Sequence, residues 1–244
     1  MLYKEYLSKI NRILQEIEKT QAAGIEQAAD IIAQAIAAGG LLHVFGCGHS
    51  QMYAMEVFYR AGGLVPINAI LTPALSLEPK APLSTHGERI EGLAKVILDN
   101  ETVGEHDVLL IASTSARNNV PVEMAMEAQR RGMKVIVLIS CAFSENVTSR
   151  HKSGKKAQDF ADVVLDNCGE LGDAVMQLPE VDPKFGPTSS VTGFALLQSV
   201  IVQTVENLAK RDIKVPIWVS ANLDKGDSIN QEYIDKYRTI ISCL

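Results

Sequence analysis

Three groups of hydroxyl and glycine residues in this 244-residue chain have the types and spacing that suit an anion. The first is Gly46, Cys47, Gly48, His49 and Ser50, at the end of the apolar run Leu41 to Phe45. Glycines let the backbone turn tightly, and the free N–H groups and dipole at the start of a following helix favour negative charge. The second group is Ser113-Thr114-Ser115, after the apolar run Val108 to Ala112, and the third is Thr188-Ser189-Ser190, before a long apolar segment. Any one such cluster is more often a helix cap or turn. Three of them, brought to one edge of a sheet, read as a phosphate cradle made of Gly48, His49, Ser50, Ser113, Thr114, Ser115, Thr188 and Ser189.

Proton-moving groups lie between the first two clusters. His86 is a histidine that could move a proton near neutral pH, and Glu88 could do so if desolvation raised its pKa. The same stretch, Ser84-x-x-Gly87-Glu88, also reads as an ordinary helix start with acidic first-turn residues. Glu56 is a third candidate, although Arg60 four residues on makes a helical ion pair the competing reading. Cys47 lies inside the glycine turn as a possible nucleophile or as a small filler. His43 alternates inward on its strand as a satisfied core residue, while His106 and His151 read as surface loop positions.

Other ligand classes fit poorly. After Gly46-x-Gly48 the third glycine of a dinucleotide fingerprint is replaced by Gln51, and the next strand ends at Thr72-Pro73 with no acid to hold a ribose. Ser153-Gly154-Lys155-Lys156 lacks the upstream glycine and the hydroxyl of a P-loop. A net charge of −6 and the lack of a dense Lys/Arg run argue against nucleic acid, and no apolar run is long enough for a bilayer. Four dispersed cysteines, no zinc spacing and no signal-like amino terminus point to a reducing cytoplasm with no required metal and no cofactor.

The elements that must position these groups follow from periodicity. Residues 2 to 38 carry helical stripes, broken near Gly24 and stopped at Gly39-Gly40, and pack either on a partner subunit or on their own domain. Strands are expected at Leu41–Phe45, Leu64–Leu71, Val108–Ala112, Lys134–Ile139 and Ala161–Leu165. Helices are expected at Gln51–Arg60, Glu88–Leu98, Pro121–Arg131 and Val191–Lys210, the last apolar almost all round and so buried in the core or at an interface. A further strand is possible at Val215–Val219, before the polar segment 222–230. The alternation predicts an α/β protein: a three-layer αβα sandwich around a five-stranded parallel sheet, with residues 1–40 as a helical extension and 41–244 as the globular unit.

The segments HVFGCGHS, DVLLIASTSARNNVPVEMAMEAQRRGMKVIVLIS and GPTSSVTGFALLQSVIVQTVENL together resemble the SIS (sugar isomerase) domain family, across roughly residues 35 to 210. The likeness is to phosphoheptose isomerase-like proteins and to a group of bacterial SIS proteins. It implies a flavodoxin-like sheet, hydroxyls at Ser50, Ser113, Thr114, Ser115 and Thr188 on a sugar phosphate, and sites shared between subunits of a homodimer or homotetramer. At the isomerases' metal and catalytic positions this chain has Glu56, Arg60, Gly193 and Ile201, which departs from their zinc-assisted pattern. The expected ligand is a sugar phosphate or amino-sugar phosphate. The expected activity is an aldose–ketose isomerisation or related enolising step, with a non-catalytic phosphosugar sensor or a lyase (etherase) as alternatives.

Overall fold

Short, fully apolar strands require cover on both faces, and the computed structural model, which describes residues 1–244, supplies it with helices. In chain order the elements are α1 (Leu2–Thr20), α2 (Ala22–Ala37), β1 (Leu42–Gly46), α3 (Gln51–Val57), β2 (Ile67–Ile70), α4 (Ala81–Gly87), α5 (Leu93–Asp99) and β3 (Val108–Ala112). There follow α6 (Asn119–Arg130), β4 (Lys134–Ile139), α7 (Cys141–Glu145), β5 (Val163–Asp166), the hairpin β6 (Met176–Leu178) and β7 (Val181–Phe185), α8 (Ser189–Ala209) and α9 (Gly226–Tyr237). The sheet runs β2-β1-β3-β4-β5 with every pair parallel.

Side chains alternate across this sheet. Leu42 and Val44 of β1 pack with Ala28, Ala29 and Ile32 of α2 and with Leu197 and Val200 of α8, whereas Phe45 faces Leu98 of α5 and Met124 of α6. The alanine stripe on α2 lets that helix lie close to α8 and the sheet. The break between the first two helices falls at Gln21, not Gly24, where the Gln21 side chain accepts the Asp166 N–H at 2.9 Å and ties the pair to β5. Helix α8 buries Leu196, Leu197, Val200, Ile201 and Leu208 within its own chain and leaves Val191 and Val202 exposed.

Three further expectations need correction. The helix expected over Glu88–Leu98 is two helices: α4 begins earlier, with Pro82 in its first turn, and α5 starts only after Gly92, whose φ of +81° breaks the path. His86 therefore lies on a helix, and Glu88 just beyond it. The possible strand Val215–Val219 is reduced to one antiparallel bridge between Ile217 and Leu64, because Pro66 and Pro216 lack the N–H groups a longer ladder needs. His151 is buried at 6% exposure, as its loop folds onto α6 and sets the ring 3.7 Å from Glu123.

His43 is a satisfied core residue, as its strand position implied. Its Nε2 bonds to Asp107 at 2.8 Å and its Nδ1 accepts from Asn68 Nδ2 at 3.0 Å, at the sheet edge away from the hydroxyl turns.

Candidate functional site

In a parallel sheet of this order, the crevice at the carboxyl edge opens where successive connections leave in opposite directions, here between β1 and β3. The first two hydroxyl clusters sit at that point. After β1 the chain makes a single tight turn, Gly48–Ser50, that runs directly into α3. It doubles back so closely that a Cβ on Gly46 would overlap the Ser50 carbonyl and stand 2.9 Å from the Gln51 nitrogen. Gly48 takes φ +58°, and a Cβ there would meet Ser84 Oγ of α4 at 3.3 Å. Ser84 is buried and donates to the Leu75 carbonyl at 2.8 Å, which seats α4 against the segment Pro73–Leu75.

The loop after β3 is fastened by its main chain. Ser113 N–H donates to Leu138 at 3.0 Å, Ser140 N–H to Thr114 at 3.0 Å, and Ala157 N–H to Ala116, which takes φ +52°, at 3.1 Å. Backbone bonds thus hold the loop while the side chains of Ser113, Thr114 and Ser115 stay half-buried at the crevice, with no hydrogen bond to another side chain or to the backbone. Ser50 is likewise half-buried, and His49 is exposed.

The third cluster has a different partner from the one expected. Asp173 Oδ1 accepts the N–H and hydroxyl of Thr188, both at 3.0 Å, and the Ser189 N–H at 2.8 Å, while its Oδ2 accepts the Ser189 hydroxyl at 2.6 Å. A carboxylate of the chain itself therefore occupies the start of α8, and Thr188 is fully buried. The donors of Thr188 and Ser189 are spent inside the fold.

Glu88 lies directly after α4, half-buried. Burial raises its pKa, against the opposing pull of the Asn118 side chain, Arg89 and Arg150. His86 is exposed on the last turn of α4. Burial, and then the Glu88 charge, push the Cys47 thiol well above its ordinary pKa, so Cys47 is the small filler rather than a ready thiolate. Glu56 is engaged elsewhere, ion-paired with Arg60 and accepting from Gln198 Nε2 at 3.1 Å. Of the four positions that match the isomerase pattern, Gly193 lies against the Tyr53 ring and Ile201 is in the core, so only the Glu56 carboxylate is a metal donor and the set does not fit zinc.

Four residues not singled out from the sequence join the site or its support: Arg117, Asn118, Arg150 and Asp173. Arg117 and Asn118 had a local signal, since they follow Ser113-Thr114-Ser115 and precede α6. Arg150 and Asp173 had none, because they arrive from separate loops.

A five-stranded parallel sheet flanked by helices, with hydroxyl-bearing turns at its switch point, defines an α/β protein. Residues 5–140 match the model of the SIS domain. A UPF0309 protein of Halalkalibacterium halodurans is 43% identical over 235 residues, covering 96% of this chain and 97% of the relative. The chain belongs to the SIS domain family. A phosphoheptose isomerase structure from Francisella tularensis shares the fold, with a TM-score of 0.54 and 17% identity over 84% of this chain and 96% of that one. A phosphoheptose isomerase from Neisseria gonorrhoeae does so at a TM-score of 0.50 and 20% identity, covering 87% of this chain and 99% of that one.

Proposed function

We propose that the crevice between β1 and β3 binds a phosphorylated sugar and that Glu88 removes the proton next to its carbonyl group. One observation carries this reading: a half-buried carboxyl of raised pKa lies near Cys47 of the first turn and Asn118 of the second loop, the two segments that carry the unengaged hydroxyls. The hydroxyls of Ser50, Ser113, Thr114 and Ser115 hold the phosphate. Glu88 takes the C2 proton to give an enediol, the exposed His86 carries a proton between O1 and O2, and return of the first proton to C1 completes an aldose–ketose isomerisation. The two fold neighbours named as phosphoheptose isomerases support a sugar-phosphate ligand on this architecture. In this reading Thr188 and Ser189 act by holding Asp173, and Glu56 by bracing α3 against α8.

Incubation of hexose 6-phosphates in D2O, followed by proton NMR, tests the chemistry. Deuterium is expected at C1 or C2 of a processed sugar, and Glu88→Gln is expected to slow its entry by about a hundredfold or more. Because the base works when ionised and its pKa is raised, the rate should fall with acidification at a higher pH than an ordinary glutamate would give. Binding with no exchange for any sugar phosphate would make the protein a sensor and remove Glu88 from catalysis.

The cradle has its own prediction. Hydrogen bonds to a charged group contribute roughly 1.5 to 3 kcal/mol, so Ser115→Ala should weaken binding of a hexose 6-phosphate about tenfold or more, with an unchanged thermal melt. The free sugar should bind far more weakly than its phosphate. Calorimetry showing equal affinity for both, or no effect of Ser115→Ala, would count against a phosphate at this loop.

A further inference from the structure

Next to the Ser113-Thr114-Ser115 loop the fold gathers arginines that form no ion pair. Arg60, Arg130, Arg131 and Arg211 each reach a carboxylate. Arg89, Arg117 and Arg150 form no such pair, although hydrogen bonds bring the three segments that carry them together. Val120 N–H donates to the Glu88 carbonyl at 3.0 Å and Asn119 Nδ2 to the Arg89 carbonyl at 2.8 Å, which fixes the end of α4 beside the start of α6. Arg150 N–H donates to the Arg117 carbonyl at 2.8 Å, and Arg150 Nη1 to Asn118 Oδ1 at 2.8 Å. Arg117 Nε is buried with no hydrogen-bond partner.

A buried guanidinium nitrogen without an acceptor is costly, and like charges close together add to that cost. The effect is felt at Arg150, whose pKa is lowered by burial and then by Arg117 and Arg89. Glu88 is the one carboxylate acting on Arg150 against that repulsion. A tetrahedral oxyanion with two charges would supply acceptors for the guanidinium forks, which match such groups in bidentate fashion.

Resting on the sugar-phosphate reading, we propose that Arg117 and Arg150, with Arg89 at the rim, clamp the phosphate of the substrate, supplying the charge that the neutral hydroxyls of Ser113 to Ser115 lack. The ligand is then a phosphate monoester of a sugar, and a sugar acid with a single carboxylate, which carries less charge and fewer acceptors, should bind more weakly.

Calorimetric titration of the full chain with inorganic phosphate, and separately with gluconate, tests the clamp at low ionic strength. The variants are Arg117→Gln, Arg150→Gln, Arg117→Lys and Ser115→Ala, each checked by thermal melting. Phosphate should bind the unaltered protein, and each Gln variant should weaken it about tenfold or more. Arg117→Lys should fall between, since it keeps the charge and loses the fork. Gluconate should bind more weakly than phosphate. Unchanged phosphate affinity in both Gln variants, gluconate binding as tight as phosphate, or no phosphate binding at all would overturn the clamp. Should Ser115→Ala weaken binding while the arginine variants do not, the clamp fails and the cradle stands. Arginine-dependent phosphate binding without deuterium exchange would leave the clamp in place and remove the isomerase reading.

Discussion

Asp107→Ala should cost about 3 to 5 kcal/mol and lower the melting temperature on the order of 10 °C, without touching the crevice. One carboxylate satisfies three groups, two of them buried. Its Oδ1 accepts the Leu41 N–H at 2.8 Å, and its Oδ2 accepts the Gly104 N–H at 2.7 Å and His43 Nε2 at 2.8 Å. His43 is fully buried and so is Leu41, so the deletion strands a ring nitrogen and the Leu41 N–H where water does not reach. The pH dependence has a definite sign. Burial alone would raise the pKa of Asp107, but the hydrogen bonds from His43, Gly104 and Leu41 outweigh it and hold the carboxyl below its ordinary range. Its contribution is thus complete above the unfolded value of about 3.9 and is lost as the pH falls through the lower folded value. Denaturant titrations of both proteins should therefore show a constant gap at pH 5 to 7 that narrows in stronger acid. A gap that widens on acidification would contradict this assignment.

Gly46→Ala should abolish binding of inorganic phosphate and of sugar phosphates, and should destabilise the fold by roughly 1 to 3 kcal/mol. The added methyl group would land on the Ser50 carbonyl and the Gln51 nitrogen, which are backbone atoms and have no rotamer to escape into. Relief requires the Gly48–Ser50 turn and the start of α3 to lift from β1, which moves Ser50 and the mouth of the crevice together. Circular dichroism should still report a folded α/β protein, while calorimetry with phosphate should show no heat of binding. Affinity like that of the unaltered chain would mean that the turn is not as rigid as its packing implies. Together the two variants separate the ends of the sheet, since Asp107 stabilises one and Gly46 shapes the other.

Much of this was legible in the sequence because it depends on neighbours along the chain. The five apolar runs that became β1 to β5, the glycine turn after the first and the Ser113-Thr114-Ser115 loop after the third are local patterns, and backbone sterics with two-face burial leave few alternatives. The inward alternation of β1 likewise placed His43 in the core. Tertiary structure decided which polar groups remain available to a ligand, because hydrogen bonding and charge balance depend on residues far apart in sequence. Thr188 and Ser189 are spent on Asp173, a residue 15 and 16 positions upstream that no motif marks. Arg150 reaches Asn118 across 32 positions, and His151 is buried because the same loop folds over α6. Sequence periodicity determined the sheet and its turns; which hydroxyls and cations face the crevice unpaired was decided by long-range contacts between segments whose local patterns carry no record of each other.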